Sequence, residues 1–494
     1  MRIHLVGVSG VGMGALAGLL RSMGHEVSGS DVAFDPPVGP LLERWGVTCL
    51  RGFDPAHLEP APDLVVVGNV CRRDNPLARA AIDRGLAYRD MAHALAELVL
   101  EGASPLVVAG THGKTTTSAM CAWLLADGGR EPGFLVGGVP KNFEAGFRAP
   151  AGRRRLPRAG EGEGARRAPP FVVEGDEYDS AFFEKTPKFW HYRPDVAVVT
   201  SIEHDHVDIY PDERSYLDAF RGFVGRVPPS GLVVAAANDP RVVAVVREAA
   251  RAPVAWFALE GDETGDVTPE WVAAPAAESP GAQGFDLYVG GVSAKRFALP
   301  PPGRHNVRNA LAALAAAAQG YGLGLGELRA SLARFQGVGR RQDLLGTPGG
   351  VFVYDDFAHH PSAVRETLAA LRGRHPGARL FAAFEPRSAT ACRAMHQAAY
   401  AEAFDGATRV VLAPLGRAAI AGDALDLGRL AGDLRRRGVD ALAARSLDEI
   451  VDEAVAWARP GDVVAFLSNG AFGGVPARAL GALGEKAGEG AGRA

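Results

Sequence analysis

The feature that most constrains this chain is a short glycine-bounded loop in the segment VVAGTHGKTTTSAM, residues 107–120. An apolar strand that runs into such a loop and on into a helix is typical of phosphate-binding α/β proteins. The loop is shorter than the common G-x-x-x-x-G-K-[ST] pattern, because Val108 stands where the first glycine would be. The backbone N–H groups from Gly110 to Gly113 can still surround an anion. We therefore predict a nucleotide-phosphate site at the end of a buried strand.

The side chains that follow this loop suit a nucleoside triphosphate with its metal ion. Lys114 can neutralise charge on the β- and γ-phosphates, and the hydroxyl of Thr115 is placed to bind Mg²⁺. The alternative is a simple turn with a surface lysine. A simple turn would give no reason for a strand, a loop, a Lys-Thr pair and a helix to occur together in this order. The loop residues predicted to bind ATP are Gly110, Thr111, His112, Gly113, Lys114, Thr115 and Thr116.

A second glycine-rich loop, Gly10-x-Gly12-x-x-Ala15, follows the first apolar run of the chain, and Asp31 ends the next one. This spacing matches the Gly/Ala variant of the dinucleotide-binding fingerprint. The residues alone fit NAD, another diphosphate, or glycines that only allow a strand and a helix to pack closely. A diphosphate at the helix N-terminus is the inference that we retain.

Acidic and histidine side chains close two strand-like runs that follow the lysine loop. Glu174 lies in VEGDEYD and His206 in EHDHVD. At the carboxyl ends of parallel strands such side chains point into the ligand crevice, so the pair can complete a metal site beside the phosphates. Histidine is an unusual Mg²⁺ ligand, so a structural role for His206 stays open. The other acidic residues of EGDEYD are expected to form a solvated rim.

A third group of polar residues, Asp355, Asp356, His359 and His360, lies in YDDFAHHP. Adjacent histidines point in different directions, and metal-binding pairs on helices prefer a spacing of four residues. We therefore predict a nucleotide-contacting loop at a strand end here, and we do not expect zinc.

Length and patterning predict an α/β chain of several domains. Its 494 residues suggest two to four domains, and strands alternate with helices as in parallel, doubly wound sheets. We place the domains at residues 1–103, 104–334 and 335–494. Residues 148–170 carry many Pro, Gly and charged residues without apolar periodicity, which predicts a disordered insertion.

Charge and cysteine content exclude several partners. The net charge of −4 supplies no basic surface for nucleic acid, and no apolar run is long enough for a membrane span. The N-terminus reads as a strand, not as a signal peptide, and the four cysteines form no metal-binding pair. We expect a cytoplasmic protein with reduced thiols.

Seven motifs occur together along nearly the whole chain, and in this order they resemble the Mur ligase family, the ATP-dependent enzymes that join peptides to UDP-N-acetylmuramic acid. The motifs are GVSGVGMGALA, GTHGKTTT, EGDEYDS, EHDHVD, GRHNVRNALAA, GVGRRQDLLG and DDFAHHP. The resemblance implies a Rossmann-like N-terminal domain, a central P-loop ATPase-type α/β domain and a C-terminal Rossmann-like domain. It also implies ATP and Mg²⁺ as cofactors, small-molecule substrates, and a monomer or weak homo-oligomer.

The resemblance assigns roles to residues of this chain. The first loop would hold the diphosphate of UDP, with Asp31 near the ribose, and Lys114, Glu174 and His206 would be catalytic. His305 and Asn306 would contact adenine, while Arg340 and Asp356 would reach ATP from the third domain. The implied UDP-sugar residues are Gly7, Ser9, Gly10, Gly12, Met13 and Asp31, and the implied metal ligands are Thr115, Glu174 and His206.

The chain departs from the family at one position. Several members carry a carbamylated lysine after the position of His206, but no lysine occurs here between Lys188 and Lys295. Phe220 stands about where that lysine would fall.

Within the family, four segments most resemble the members that attach the tripeptide L-alanyl-γ-D-glutamyl-meso-diaminopimelate to UDP-N-acetylmuramate in peptidoglycan recycling. They are GGVPKNFEAGF, DEYDSAFFEKTPKF, FEPRSAT and LSNGAFGG. Such a peptide carries carboxylates that suit an arginine, so Arg387, with Ser388 and His359, is expected to bind it. A solvated surface role for Arg387 stays open, as do three alternatives for the chain: an L-alanine-adding ligase, a nicotinamide-dependent oxidoreductase and a non-catalytic nucleotide-binding module.

Overall fold

The structure is a computed structural model that describes residues 1–151, 168–207, 209–275, 283–417 and 422–491. Three separate main sheets follow one another along the chain, which confirms the predicted three-part α/β architecture. No helix in these described ranges is both long and apolar enough to cross a lipid bilayer.

The first sheet has five parallel strands in the order β3-β2-β1-β4-β5. The strands are β1 (Arg2–Val6), β2 (Glu26–Asp31), β3 (Thr48–Arg51), β4 (Leu64–Val67) and β5 (Tyr88–Asp90). The helices are α1 (Val11–Ser22), α2 (Val38–Arg44), α3 (Pro76–Asp83) and α4 (Met91–Leu95), with a 3₁₀ turn at Pro55–Leu58 and a π-type segment at Ala96–Leu100. This strand order is that of a dinucleotide-binding α/β sheet, whose apolar strands are buried on both faces.

The central sheet has ten strands in the order β17-β16-β15-β14-β13-β12-β6-β9-β7-β8. Its strands, with the separate hairpin β10–β11, are β6 (Ser104–Ala109), β7 (Gly133–Leu135), β8 (Phe147–Arg148), β9 (Pro170–Gly175), β10 (Asp179–Ala181), β11 (Glu184–Pro187), β12 (Val196–Val199), β13 (Leu232–Ala236), β14 (Val254–Leu259), β15 (Trp271–Pro275), β16 (Gln283–Val289) and β17 (Val292–Leu299). The helical segments are α5 (Lys114–Asp127), α6 (Glu213–Val224), α7 (Pro240–Ala249), α8 (Arg304–Ala315), α9 (Leu325–Leu332), a 3₁₀ turn at Lys188–His191 and a π-type segment at Ala316–Gly320.

The third sheet has six strands in the order β18-β19-β23-β20-β21-β22, and only the β18–β19 pair is antiparallel. The strands are β18 (Asp343–Gly346), β19 (Phe352–Asp356), β20 (Leu380–Phe384), β21 (Arg409–Leu412), β22 (Asp440–Ala443) and β23 (Val463–Leu467). The helices are α10 (Pro361–Arg374), α11 (Gln397–Ala403), α12 (Leu427–Arg436), α13 (Leu447–Trp457) and α14 (Val475–Ala491), with 3₁₀ turns at Pro348–Gly350, Ala394–His396 and Phe472–Gly474.

Three neighbouring strands of the central sheet determine where the site forms. Strand β6 pairs in parallel with β9 on one side and with β12 on the other. In that register Ala109 lies opposite both Gly175 and Val199. The lysine loop, the acidic segment after β9 and the histidine segment after β12 therefore begin at one edge of the sheet, where ligands bind in such folds.

The prediction that residues 148–170 form a disordered insertion is wrong at both ends of that segment. Residues 152–167 lie outside the described part of the chain. Arg148 pairs with Phe134 in the β7–β8 ladder, and Pro170 already belongs to β9. The Arg148 guanidinium carbon lies 5.5 Å from the centre of the Phe134 ring and 5.3 Å from that of Phe143. The sequence pattern did not indicate β8 because a charged arginine is expected to lie in solvent. Here the aliphatic stem and the charge of the arginine pack against aromatic rings instead.

Candidate active site

The phosphate loop is held in place by backbone conformations that favour glycine. Gly110 and Gly113 have φ values of 135° and 81°. A Cβ at Gly110 would lie 2.1 Å from the Thr200 hydroxyl oxygen, and one at Gly113 would lie 2.4 Å from the side-chain oxygen of Asn309. The loop is therefore packed tightly against two neighbouring segments, and its N–H groups stand at the N-terminus of α5, where an anion is favoured.

Lys114, Glu177 and His206 form a buried ion cluster beside this loop. The Lys114 ammonium donates to the Gly110 carbonyl oxygen at 2.7 Å and to Glu177 Oε2 at 2.9 Å. His206 Nε2 lies 3.2 Å from Glu177 Oε1. The Glu177 side chain is only 1% exposed, so it is an anion enclosed between two basic groups. The solvated rim expected for the acidic residues after Glu174 is therefore wrong for Glu177.

The charges of this cluster support one another. Burial opposes ionisation of Glu177, but Lys114 and His206 hold the pKa of its carboxyl well below its usual value. Burial likewise opposes a charged imidazole, yet the Glu177 carboxylate raises the pKa of His206 to about 9. A phosphate group that approached Lys114 would compete with Glu177 for the same ammonium hydrogens.

Glu174 occupies a separate position beside Thr115. Burial, followed by the nearby Asp176, raises the pKa of Glu174, and the Thr115 side chain hydrogen-bonds it. Its Oε1 is buried without a hydrogen-bond partner among the described residues. An orphaned carboxylate oxygen next to a hydroxyl is the donor set that a hard cation prefers. The predicted ligands are thus split, because Glu174 contacts Thr115 whereas His206 contacts Glu177.

A cleft runs from the phosphate loop to the third sheet, with an empty volume of about 1170 Å³ that includes space open to solvent. Six of the residues predicted for ATP line it: His112, Gly113, Thr116, His305, Asn306 and Asp356. The cleft is also lined by residues that the sequence analysis did not single out, among them Asn238, Asn309, Arg341, Gln342 and Glu366. The structure therefore brings the central and third parts of the predicted nucleotide site together.

Arg341, not Arg340, reaches the phosphate loop. The Arg341 guanidinium donates to the Thr115 hydroxyl oxygen at 3.1 Å. Arg340 turns to the third sheet, where it pairs with Asp355 at 3.1 Å and donates to the carbonyl oxygens of Ser468 and Gly470. The predicted ATP contact of Arg340 does not fit this geometry, and we transfer that hypothesis to its neighbour.

Asp356 and His305 are joined through Gln342. Both Asp356 carboxylate oxygens accept backbone N–H groups, from Gln342 at 2.6 Å and from Ala358 at 2.7 Å. The Gln342 amide nitrogen then lies 3.1 Å from His305 Nε2. The adjacent Asn306 donates to the Pro302 carbonyl oxygen at 2.7 Å. Asp356 therefore orders the wall of the cleft, and any contact of it with nucleotide stays a prediction.

Glu203 links the phosphate loop to the third sheet's first helix, α10. Its Oε2 lies 2.8 Å from His112 Nε2, and both of its oxygens accept from the Ser362 hydroxyl, at 3.0 and 2.9 Å. His360 Nδ1 lies 3.7 Å from the same carboxylate. Glu203 opens the segment EHDHVD, in which only His206 was predicted to be a site residue, and its contacts depend on how the third sheet docks.

Of the predicted peptide residues, Arg387 and Ser388 follow β20, whereas His359 follows β19. Arg387 is about half-exposed, and its guanidinium lies 3.8 Å from Glu385. A Cβ on Gly470 would come within 2.4 Å of the Arg387 side chain, so this glycine leaves room for it. Ser388 accepts the Ala391 N–H at 3.0 Å. The His359 ring contacts the Phe357 carbonyl oxygen at 3.1 Å, and burial lowers its pKa to about 4.

The predicted UDP-sugar loop begins at Gly7, which has a φ of 83°. Asp31 accepts the Ser9 N–H at 2.8 Å and the Val32 N–H at 2.7 Å, so its carboxylate holds the loop in shape. A Cβ at Gly12 would lie 3.3 Å from the Met91 methyl carbon, and Met13 is buried. The glycines thus have a packing role, and the contacts to UDP stay predictions.

Three domain profiles of one family match the chain in order. They are the Mur ligase family catalytic domain at residues 2–102, the Mur ligase middle domain at residues 108–317 and the Mur ligase glutamate ligase domain at residues 340–470. The chain belongs to the Mur ligase family. This membership leaves the oxidoreductase alternative without support.

Several Mur ligases match this chain over nearly their full length. UDP-N-acetylmuramate–L-alanyl-γ-D-glutamyl-meso-2,6-diaminoheptandioate ligase of Escherichia coli is 36% identical and covers 99% of each chain. UDP-N-acetylmuramate–L-alanine ligase of Chloroflexus aggregans is 36% identical, covering 94% of this chain and 95% of that one. The crystal structure of a murein peptide ligase from Psychrobacter arcticus aligns with a TM-score of 0.72 at 33% identity, covering 98% of this chain and 99% of that one.

Proposed function

We propose that this Mur ligase joins L-alanyl-γ-D-glutamyl-meso-diaminopimelate to UDP-N-acetylmuramate with ATP, acting in the cytoplasm. The observation that carries the proposal is the cleft in which His112, Gly113 and Thr116 face Arg341, Asp356 and Ser362. Lys114 and the orphaned oxygen of Glu174 lie beside the phosphate loop. The Escherichia coli relative named for this tripeptide matches the chain from end to end. The reaction is tested by phosphate release from ATP, which should require both the UDP-sugar and the peptide.

The chemistry proceeds in two steps. A carboxylate oxygen of the muramyl group attacks the γ-phosphorus of ATP, a new P–O bond forms, and ADP leaves with the electrons of the broken bond. The resulting acyl phosphate is then attacked at carbon by the α-amine of the peptide. The C–O bond to phosphate breaks, phosphate leaves and the nitrogen loses a proton, which gives the amide. Lys114 and Arg341 offset negative charge during the first step.

The acyl phosphate must be protected from water until the amine arrives. Ser362 of α10 reaches Glu203 across the cleft, and His112 of the phosphate loop contacts the same carboxylate. These contacts hold the third sheet over the phosphate loop, so they favour a closed site from which water is excluded.

A magnesium ion fits beside Thr115 and Glu174. The orphaned Glu174 oxygen and the Thr115 hydroxyl are hard ligands next to the loop that we expect to hold phosphates. When bound, the ion would neutralise charge on the β- and γ-phosphates of ATP. His206 stays a candidate ligand, although its present partner is Glu177.

Alanine at Glu174 is expected to raise the Mg²⁺ concentration that gives half-maximal activity, because the ion loses an anionic ligand. The same titration on His206→Ala decides between the two roles of the histidine. An unchanged midpoint of the Mg²⁺ titration would assign His206 to the structural role. The matched control is Glu101→Ala, which removes an exposed carboxylate and should leave the midpoint of the Mg²⁺ titration unchanged.

Arg387 is proposed to hold a carboxylate of the tripeptide. Its guanidinium is partly exposed, and the charged contact that it makes among the described residues, Glu385 at 3.8 Å, is too long for a direct hydrogen bond. It follows β20 at the carboxyl end of that strand, where ligand-binding side chains are expected. The guanidinium fork suits bidentate carboxylate binding.

Arg387→Ala should raise the KM for the tripeptide by tenfold or more, which corresponds to about 1.4 kcal/mol for a lost charge-assisted contact. The KM values for ATP and UDP-N-acetylmuramate should change little. The control is Arg445→Ala, which removes an exposed arginine that follows β22 of the third sheet. This variant should leave all three KM values unchanged. An equal rise of the three constants in Arg387→Ala would point to misassembly of the cleft and against peptide binding.

UDP-N-acetylmuramate–L-alanine ligase is the second candidate function. The relative with that name has the same 36% identity but covers 94% of this chain, against 99% for the tripeptide-adding relative, so the comparisons do not favour this candidate. The segments FEPRSAT and LSNGAFGG favour the tripeptide, since they supply the half-exposed arginine and the glycine that makes room for it.

A further inference from the structure

A group of side chains that could bind a metal ion lies where α4 of the first sheet meets the β10–β11 hairpin. His93 belongs to α4, Glu184 begins β11 and His191 ends the 3₁₀ turn that follows. Each offers one ligand atom, and the three atoms lie within 4.8 Å of one another. The centres of the two imidazole rings are 4.0 Å apart. None of the three residues lines the nucleotide cleft.

His93 is oriented by a buried carboxylate. Its Nδ1 lies 2.5 Å from Asp90 Oδ2, and the Asp90 side chain is only 2% exposed. The other Asp90 oxygen accepts the backbone N–H groups of Ala92 and His93, which fixes the carboxylate at the start of α4. In the neutral ring the proton therefore lies on Nδ1 and the lone pair on Nε2. A carboxylate behind the ring is the usual support of a metal-binding histidine.

A short hydrogen-bond chain sets the protonation of His191. The Thr186 hydroxyl donates its single hydrogen to Glu184 Oε1 at 2.5 Å, so it accepts from His191 Nε2 at 2.8 Å. The lone pair of His191 is therefore on Nδ1. Glu184 Oε1 also accepts the Thr186 N–H, and neither of these two bonds uses Oε2.

We propose that His93, Glu184 and His191 form a transition-metal site, best suited to Zn²⁺, that joins α4 to the β10–β11 hairpin. Two imidazoles and one carboxylate are a known zinc ligand set that leaves a fourth position for water. The set is poorly suited to Mg²⁺, which prefers oxygen ligands. The His93 side chain is 32% exposed, so water can reach that position. A bound ion would cross-link the first sheet's helices to the central region.

Zinc binding to the full-length protein, stripped with EDTA and desalted, tests the site without nucleotide or UDP-sugar. His93→Gln and His191→Gln should each weaken binding of one zinc equivalent by at least about tenfold, since even supporting residues of metal sites have effects of this size. Both should also lose the rise in Tm that zinc gives the wild type. His360→Gln, which alters the other histidine–carboxylate cluster, is the matched control and should keep this equivalent.

Glu184→Gln provides a variant that retains the oxygen bonded by Thr186 and removes only the charge. A metal-free Tm close to that of the wild type shows that it is folded, and its zinc affinity should fall with those of the histidine variants. Equal zinc affinity and stoichiometry in the wild type, His93→Gln, His191→Gln and Glu184→Gln would overturn the proposal. Because no substrate is present, this result is independent of the proposed ligase reaction.

Discussion

Lys114→Ala is expected to lower kcat by on the order of 10²-fold or more, because a phosphoryl-transfer site loses the cation that offsets charge on the transferred group. The lysine is enclosed at the start of α5, where its ammonium already binds the Gly110 carbonyl oxygen and Glu177. No water molecule can replace a positive charge at this position. Steady-state phosphate release at saturating substrates measures the effect.

The matched control is Lys185→Ala, which removes an exposed lysine from the β10–β11 hairpin and should leave kcat unchanged. A thermal melt of each variant separates loss of chemistry from loss of fold. Retention of more than about a tenth of wild-type activity by a folded Lys114→Ala protein would contradict the role of this lysine.

Glu177→Ala is expected to cause the largest loss of stability among the site variants. Its carboxylate is the shared anion of Lys114 and His206, and its side chain is almost fully buried. Removing one partner of a buried ion pair leaves an uncompensated charge and typically costs about 3–5 kcal/mol. The free energy of unfolding, measured by urea denaturation, should therefore fall by several kcal/mol.

Glu59→Ala is the control for Glu177→Ala, because it breaks the exposed pair between Glu59 and Arg84. Exposed pairs contribute about 0–1 kcal/mol, so this variant should unfold at nearly the wild-type urea concentration. Equal free energies of unfolding for the two variants would contradict the proposal that Glu177 is an enclosed anion that balances the charges of Lys114 and His206.

Local pattern was sufficient to predict the phosphate loop and the alternation of strands and helices. The residues from Gly110 to Thr116 follow a buried strand directly, so their placement depends only on that strand and the next helix. Glu174 could be placed at this edge of the sheet for the same reason, since it belongs to the strand itself, and its metal binding stays a prediction. In each case sequence neighbours are also spatial neighbours.

Residues beyond the strand ends were not predictable in this way. Glu177 lies two residues past β9, and whether it turns inward depends on the contacts of His206, which is far away in sequence. Arg340 and Arg341 are adjacent and chemically equal. The left-handed backbone at Arg340, with a φ of 59°, helps to decide which guanidinium faces the phosphate loop. No periodicity in the sequence indicates that conformation.

The most direct test of the proposed function offers the wild-type enzyme both amine substrates at once. ATP, Mg²⁺ and UDP-N-acetylmuramate are supplied with equal concentrations of the tripeptide and of L-alanine, and the products are separated by mass. We expect the tripeptide adduct to accumulate first and L-alanine alone to support little phosphate release. Rapid formation of UDP-N-acetylmuramyl-L-alanine with no tripeptide adduct would contradict the proposed function and assign the chain to the L-alanine ligases.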